Sequence, residues 1–104
     1  MLINSKSFDK GDVVVFKMVN GDEIVTEIYA DDAGCYRVKK PQTVVPSAKG
    51  MGLMPALFTA RDDFIIEVAK AHVMMAAPAV DEMVRHYNQT TTGIVTVPKG
   101  SIIT

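Results

Sequence analysis

The hydrophobic pattern over most of the chain is that of short β-strands. The segment Asp12 to Val19 is apolar at most positions, which predicts a first strand that needs cover on both faces. The segment Glu23 to Tyr29 alternates apolar and polar residues, which predicts a second, half-buried strand. Asn20-Gly21 between them fits a two-residue type I′ turn, since both residues tolerate positive φ. A hairpin covers only one face of its first strand, so the other face requires a further element or a neighbouring copy of the chain.

The pattern continues with a turn at Asp31 to Gly34 and a third strand. That strand begins near Cys35 and continues past Pro41 to Val45. The proline predicts an edge or a bulge, because it has no N–H group to donate. The next segment, Pro46 to Asp63, holds two prolines and two glycines around a short apolar run. We interpret this segment as a long inserted hairpin, and we call it the flap.

The segment Phe64 to Ala77 again has the composition of a strand, but a straight strand of that length would overshoot its partners in so small a domain. The small residues around Lys70, from Ala69 to Ala71, predict a sharp bend. The bend divides the segment into a fourth strand, Phe64 to Ala69, and a fifth strand, His72 to Ala77. Pro78 then ends the strand.

The spacing changes to a helical one after Pro78. Apolar residues at i, i+3, i+4 and i+7 from Val80 to Tyr87 predict one helix, about Ala79 to Gln89. Asp81 and Glu82 fall in its first turn, where the helix dipole favours acids. In the remaining tail, residues 90–104, the sequence IVTV can add a short strand or dock against the domain.

Composition narrows the class of protein. A chain of 104 residues is about one domain long. Its 48% apolar and 22% charged residues are typical of a folded globular protein. A net charge of −1 excludes a strongly basic nucleic-acid-binding domain, so any such binding needs a local patch. We found no leader-like or membrane-spanning segment, and the one cysteine, Cys35, cannot form an internal disulfide; both observations favour the cytoplasm.

Two stretches resemble the Sm-like family of small barrels. Val19-Asn20-Gly21, with the alternating strand and acidic turn of IYADDAGCYRV, resembles the first family motif, and Asp31 falls at its turn aspartate. AKAHVMMAAPA is similar to the Lys-His turn and last strand of the bacterial Sm-like RNA chaperone; Lys70 matches and His72 is displaced by one residue. The resemblance covers residues 12–78, with the flap as an insertion. It implies a strongly bent, five-stranded open barrel of SH3 type, to which the predicted C-terminal helix is added, and the short chain resembles the divergent members that phages carry.

The resemblance also implies self-assembly. In the family, the fourth strand of one subunit pairs with the fifth strand of the next, which closes a ring of about five to seven copies. The chain departs from the family in two respects: its helix comes last, and Gly34-Cys35-Tyr36 lacks the usual asparagine after the turn aspartate. If the protein is encoded by a phage, the compartment is the host cytoplasm.

The candidate site is a positively charged collar that binds single-stranded RNA. Lys70 and His72 would line the ring opening, where symmetry multiplies each lysine; alternatively, Lys70 is solvated beside a histidine bonded to backbone. Arg37 and Lys39 belong to the densest basic cluster. Tyr36 beside them could stack on a base, and the acidic turn beginning at Asp31 completes the set. The cluster also fits the hydrated face of a strand.

Other functions remain as alternatives. The pairs Asp31-Asp32 and Asp62-Asp63 are interpreted as turn formers, and no spacing of a metal, cofactor or catalytic site is present, so we expect neither an enzyme nor a cofactor. A structural or adaptor protein could instead bind a partner protein through the flap and the helix. Four apolar flap residues motivate this alternative: Leu53, Met54, Leu57 and Phe58.

Overall fold

The computed structural model describes residues 7–48, 50–61 and 63–92. This part of the chain is mostly β, as predicted, and forms a six-stranded antiparallel sheet with one C-terminal helix. The strands are β1 (Val13–Met18), β2 (Glu23–Asp31), β3 (Cys35–Ser47), β4 (Gly50–Pro55), β5 (Ile66–Ala69) and β6 (Val73–Pro78), and the helix is α1 (Asp81–Thr92). A 3₁₀ turn, Lys70–His72, joins β5 to β6.

The long strand β3 organises the sheet. The main path runs β4-β3-β2-β1-β6, and β5 pairs with β3 in addition. β3 pairs with β5 through Cys35 to Val38 and with β4 through Gln42 to Ser47. The strand beyond the predicted five is β4, the return arm of the flap. Each of β4, β5 and β6 therefore pairs with only one other strand among the described residues.

The predicted bend between β5 and β6 is confirmed. β5 ends at Ala69, and β6 begins at Val73 after the single 3₁₀ turn. Backbone hydrogen bonds hold both ends of this turn: the Lys70 N–H donates to the Gly34 carbonyl at 3.1 Å, and the Val19 N–H donates to the His72 carbonyl at 2.9 Å. The bend is thus fastened to the two hairpin turns that flank β2.

The type I′ turn predicted at Asn20-Gly21 is wrong. Gly21 has a φ of +98°, whereas Asn20 is not among the described residues with positive φ. The Gly21 N–H donates to the Met18 carbonyl at 2.9 Å and the Met18 N–H donates to the Asp22 carbonyl at 2.8 Å. These bonds define a three-residue loop, a type I turn followed by a glycine bulge. The Asn20 side chain accepts the Asp22 N–H at 3.0 Å, which stabilises this alternative.

The core lies on one face of the sheet. Its centre is Val14, Phe16, Ile28 and Val38, all fully buried, and Phe8, Met18, Tyr36, Ile66, Val68 and Val73 pack around it. Val25 and Tyr87 are also fully buried but lie outside this cluster. Side chains of a strand alternate between faces, so Val25 lies on the face opposite Ile28. α1 packs against the sheet through Tyr87, which is fully buried outside the core cluster.

A bulge in β3 anchors the helix. Between the pairs Val25↔Gln42 and Glu27↔Lys39, two residues of β3 lie opposite one residue of β2, as the bulge alternative at Pro41 predicted. Lys40 in this bulge has a φ of +47°. The Tyr87 hydroxyl donates to the carbonyl oxygens of Lys39 and Lys40, at 2.7 and 3.0 Å. The Lys40 ammonium donates to the Thr91 carbonyl at 3.1 Å, at the negative end of the helix dipole.

The helix begins and ends later than predicted, at Asp81 and Thr92. Its apolar stripe is also narrower, because Val80 precedes it and is 71% exposed, and only Tyr87 is fully buried. The strand considered for IVTV in the tail lies outside the described residues. In the ranges that the structure describes, no helix has the length and apolar character needed to cross a membrane.

Candidate functional site

An ion pair between Asp31 and Lys70 forms the centre of the candidate site. Asp31 ends β2 and Lys70 begins the 3₁₀ turn, and the Lys70 ammonium lies 2.5 Å from Asp31 Oδ1. The second carboxylate oxygen, Oδ2, accepts the Phe8 backbone N–H at 2.9 Å. The Asp31 side chain is only 9% exposed and that of Lys70 is 32% exposed. The pair is therefore partly shielded from water, and its attraction is stronger than that of a surface ion pair.

Both members of this pair titrate away from their ordinary values. Desolvation by burial acts to raise the pKa of Asp31, but the Lys70 hydrogen bond, the Phe8 N–H and the lysine charge outweigh it, so the pKa is lowered. The hydrogen bond to Asp31 raises the pKa of Lys70, against a smaller opposing effect of desolvation. Each group holds its partner in the charged form, so the ion pair persists across the neutral pH range.

The Tyr36 ring packs against the Lys70 ammonium group. The Lys70 ammonium lies 4.7 Å from the centre of the Tyr36 ring, within the range of a cation–π contact. The same ring stacks on Phe16, with ring centres 4.6 Å apart and an interplanar angle of 27°. The Tyr36 ring thus connects Lys70 to the core. A nucleobase that stacked on this ring would have to displace Lys70 or Phe16.

The remaining predicted cations are also paired with carboxylates. Arg37 Nε lies 3.3 Å from Asp32 Oδ2, and Lys39 Nζ lies 3.9 Å from Glu27 Oε2. These side chains are one-third to one-half exposed, so each pair contributes little to stability. Lys70, Arg37 and Lys39 therefore each face a neutralising carboxylate. The basic cluster is a row of ion pairs within one protomer.

The structure brings only some of the predicted residues together. Asp31, Tyr36 and Lys70 are in mutual contact, and Arg37 lies beside them through Asp32 at the same turn. Lys39, on β3, instead forms its ion pair with Glu27 of β2. His72 is exposed at the far end of the 3₁₀ turn and lines a separate groove. The sequence prediction combined Lys70 and His72 because they are two positions apart, but they have different neighbours.

Two contributions to the site were missed in the sequence. Asp31 was predicted as a site residue and the Asp31-Asp32 pair as a turn former, but the ion pairs of these carboxylates with Lys70 and Arg37 were not predicted. The available signal was the acidic dipeptide shortly before Arg37. Phe8, which precedes β1, also contributes its N–H to Asp31, and nothing in the local pattern indicated that contact.

An apolar groove of about 340 Å³ lies on the His72 side of the bend. Its lining includes Met18, Ile66 and Val68 from the core side and Leu57 from the flap. A second groove, of about 360 Å³, shares Pro41, Leu57 and Ile66 with it. Within the described ranges, no three histidine, cysteine or acidic side chains come together to hold a metal ion.

Comparison with known proteins does not assign the chain to a family. No protein-family model matches it. No curated protein matches it significantly. The proposed function therefore rests on the strand edges and on the Asp31–Lys70 corner, the cluster of Asp31, Tyr36, Arg37 and Lys70 at the start of the 3₁₀ turn.

Proposed function

We propose that the protein is a divergent Sm-like protein of phage type that assembles into a homo-oligomeric ring and binds single-stranded RNA weakly at the ring opening. One observation carries the proposal: the 3₁₀ turn that bears Lys70 also joins two strands, β5 and β6, that each have one edge without a strand partner among the described residues. Assembly through these edges would gather the Lys70 residues of all copies around one opening.

The first step is assembly. β5 pairs only with β3 and β6 pairs only with β1 in the described part of the chain, so each has a row of backbone groups without a strand partner. The edge of β6 also carries Met74 and Met75, which are 60% and 61% exposed. Flexible thioethers adapt well to irregular contacts. Pairing of β5 with the β6 of the next copy is head-to-tail, and such a contact closes into a ring when the rotation allows it.

The second step is RNA binding. One protomer has no net positive patch at the corner, because Asp31 and Asp32 offset Lys70 and Arg37. A ring would bring several ammonium groups to one opening, and the phosphates of a single strand could contact them without expelling the carboxylates. We therefore expect weak binding that depends strongly on salt.

Two measurements test this proposal. Native mass spectrometry of the protein as purified should give the mass of a ring of about five to seven subunits, or twice that mass where two rings pair. Fluorescence anisotropy with uridine- and adenine-rich oligonucleotides should show binding that weakens as salt rises from 50 to 200 mM. Lys70→Ala should weaken binding on the order of tenfold.

Arg85→Ala is the matched control, because it removes one positive charge from the exposed surface of α1. It should change RNA affinity less than Lys70→Ala does. A monomeric mass at micromolar concentration would refute the ring. Equal effects of the two substitutions, or binding that is insensitive to salt, would refute the RNA site at the corner.

A second candidate function is that of a structural or adaptor protein that binds a partner through the flap. The observation that favours it is the exposure of Leu57 and Phe58, at 51% and 72%, with Met54 at 39%; Leu53 is half-buried. Replacing Leu57 and Phe58 by serine should abolish capture of a partner protein and leave the subunit count unchanged. If captured material is removed by ribonuclease, the RNA proposal explains it instead.

A further inference from the structure

The outer edge of β4 is a third free edge, and the proposed ring does not use it. β4 ends the sheet path and pairs only with β3 among the described residues. Its sequence, GMGLMP, contains no charged residue, whereas β5 carries Glu67. Proteins usually protect exposed edges with charges, and an uncharged apolar edge favours pairing with another strand.

The side chains of β4 are arranged unequally on its two faces. Alternation places Gly50, Gly52 and Met54 on one face and Met51 and Leu53 on the other. Met51 and Met54 are 60% and 39% exposed. The two glycines leave space above the backbone on the face from which Met54 projects. A second strand laid alongside could therefore place its methionine over these glycines.

We propose that β4 pairs antiparallel with the β4 of a second copy, about a twofold axis at Gly52. The Ala56 N–H donates to the Pro41 carbonyl, and in this register alternate β4 residues, Gly50, Gly52 and Met54, bond to β3. The N–H groups directed to the free edge are then those of Met51 and Leu53, since Pro55 has none, and the midpoint between them is Gly52. In this register Gly52 lies opposite Gly52, Met51 opposite Leu53 and Met54 opposite Gly50. Large residues meet small ones at the ends, and no like charges face each other.

A second copy is the occupant that this edge fits best. Antiparallel pairing of two identical strands about a twofold axis forms one closed, isologous contact. Charged strands would place equal charges near each other in such a pair, and β4 avoids this cost because it has none. One such contact is small, on the order of a few hundred Å² per copy, below the roughly 800 Å² of a standard interface.

Several copies of the contact acting together would be much stronger. As an extension that rests on the proposed ring, twofold axes perpendicular to the ring axis would let every subunit of one ring pair with a subunit of a second ring. The contacts then act as a multivalent set, in which each later pairing is intramolecular. We expect a species of twice the ring mass, and pairs of protomers where ring formation is blocked.

Opposite charges at position 52 test the register directly. A Cβ at Gly52 meets only ordinary contacts, 3.7 Å from Val45 Cγ2 and from Ser47 Cβ, and the backbone is not in the left-handed region. Gly52→Lys and Gly52→Glu should therefore fold, as circular dichroism can check. Each variant alone should give the single ring mass, because equal charges face each other across the axis. An equal mixture of the two should restore the doubled mass.

Two further variants separate this inference from the proposed function. Met54→Lys, at an exposed position, should also prevent doubling, so the result does not depend on position 52 alone. Met75→Lys on the β6 edge should break rings and leave dimers held by β4. A wild-type protein that forms only single rings, or a mixture that fails to restore doubling, would overturn the β4 pairing and leave the ring intact. A doubled wild-type mass that Met75→Lys does not reduce would overturn the ring instead.

Discussion

Single residues determine how much positive charge the corner presents. Asp31 acts on any bound phosphate through Lys70, so it is a positioning residue for the lysine. Its own carboxylate lies where it repels an anion, and its hydrogen bonds to Lys70 and Phe8 hold the end of β2 against the 3₁₀ turn. Under the proposed function, the same residue stabilises the fold and weakens the interaction with RNA.

Asp31→Asn should separate these two effects. We expect RNA to bind more tightly, several-fold at low salt, because Lys70 loses its neutralising partner. The free energy of unfolding should fall by about 1–2 kcal/mol at neutral pH. The lowered pKa of Asp31 means that its contribution is present above pH 3.8 and is lost as the pH falls below that value. Urea unfolding at low pH should show that Asp31→Asn does not lose this contribution to stability. Weaker RNA binding by the variant would contradict the positioning role of Asp31.

Tyr87 is the residue that holds α1 against the sheet. Burial raises the pKa of Tyr87 to about 12 from 10.0, with a further contribution from the charge of Glu27. A raised pKa means that the folded state prefers the neutral phenol. The associated stability, about 2–3 kcal/mol, is fully present below pH 10 and is lost as the pH rises toward 12.

Tyr87→Phe should cost about 1–2 kcal/mol of unfolding free energy near neutral pH, because the Lys39 and Lys40 carbonyl oxygens lose the Tyr87 donor and keep only those of Thr26 and Gln42. The difference between wild type and variant should shrink between pH 10 and pH 12, since the phenylalanine ring cannot ionise. Chemical unfolding followed by circular dichroism measures both quantities. Tyr29→Phe, at an exposed tyrosine, should change the neutral stability by less than about 0.5 kcal/mol. A difference that stays constant with pH would contradict the assignment of Tyr87 as a buried neutral donor.

At the scale of elements, turns and bulges shape the sheet. The bend at Lys70–His72 is fastened to both neighbouring hairpin turns, so the directions of β5 and β6 depend on the β1–β2 and β2–β3 turns as well as on local sequence. The β3 bulge has the same role for α1, because its two carbonyl groups receive the Tyr87 hydroxyl. Changes in these turns should therefore act on elements that are distant in sequence.

Gly21→Ala tests the β1–β2 turn. Gly21 has a φ of +98°, which alanine adopts only with strain, so the variant should lose about 1–2 kcal/mol of stability in urea unfolding. Gly34→Ala is the matched control: its φ is not in the left-handed region, and an added Cβ meets nothing within 4 Å. The control should change stability by less than about 0.5 kcal/mol. Equal losses at the two positions would show that the strained turn is not the cause.

At the scale of the whole molecule, the described sheet has a buried core on one face and strand edges with only one partner each. The helix α1 is attached to this sheet at the β3 bulge through Tyr87. The edges of β4, β5 and β6 have no further strand partner in the described part of the chain. The largest exposed apolar side chains of the described residues lie mainly on β6 and in the flap. Both proposals rest on this distribution, because unpaired strand edges favour pairing with another strand.

The sequence by itself determined the elements whose cause is local. Alternating residues indicated β2, the length of the segment 64–77 together with its small residues indicated the bend, and the helical spacing after Pro78 indicated α1. Each of these signals depends on residues that are close together in the sequence, so the sequence pattern is enough to predict the element. At Pro41 the sequence predicted either an edge strand or a bulge, and the structure shows a bulge.

Only the tertiary structure decided which groups meet. Asp31 and Lys70 are 39 positions apart, and Tyr87 reaches a carbonyl 48 positions away. Such contacts arise from the packing of complete strands, and the energy of any one of them is small beside that packing. The local sequence pattern therefore predicts where strands and helices lie along the chain, whereas the pairing of charges depends on how these elements pack against each other.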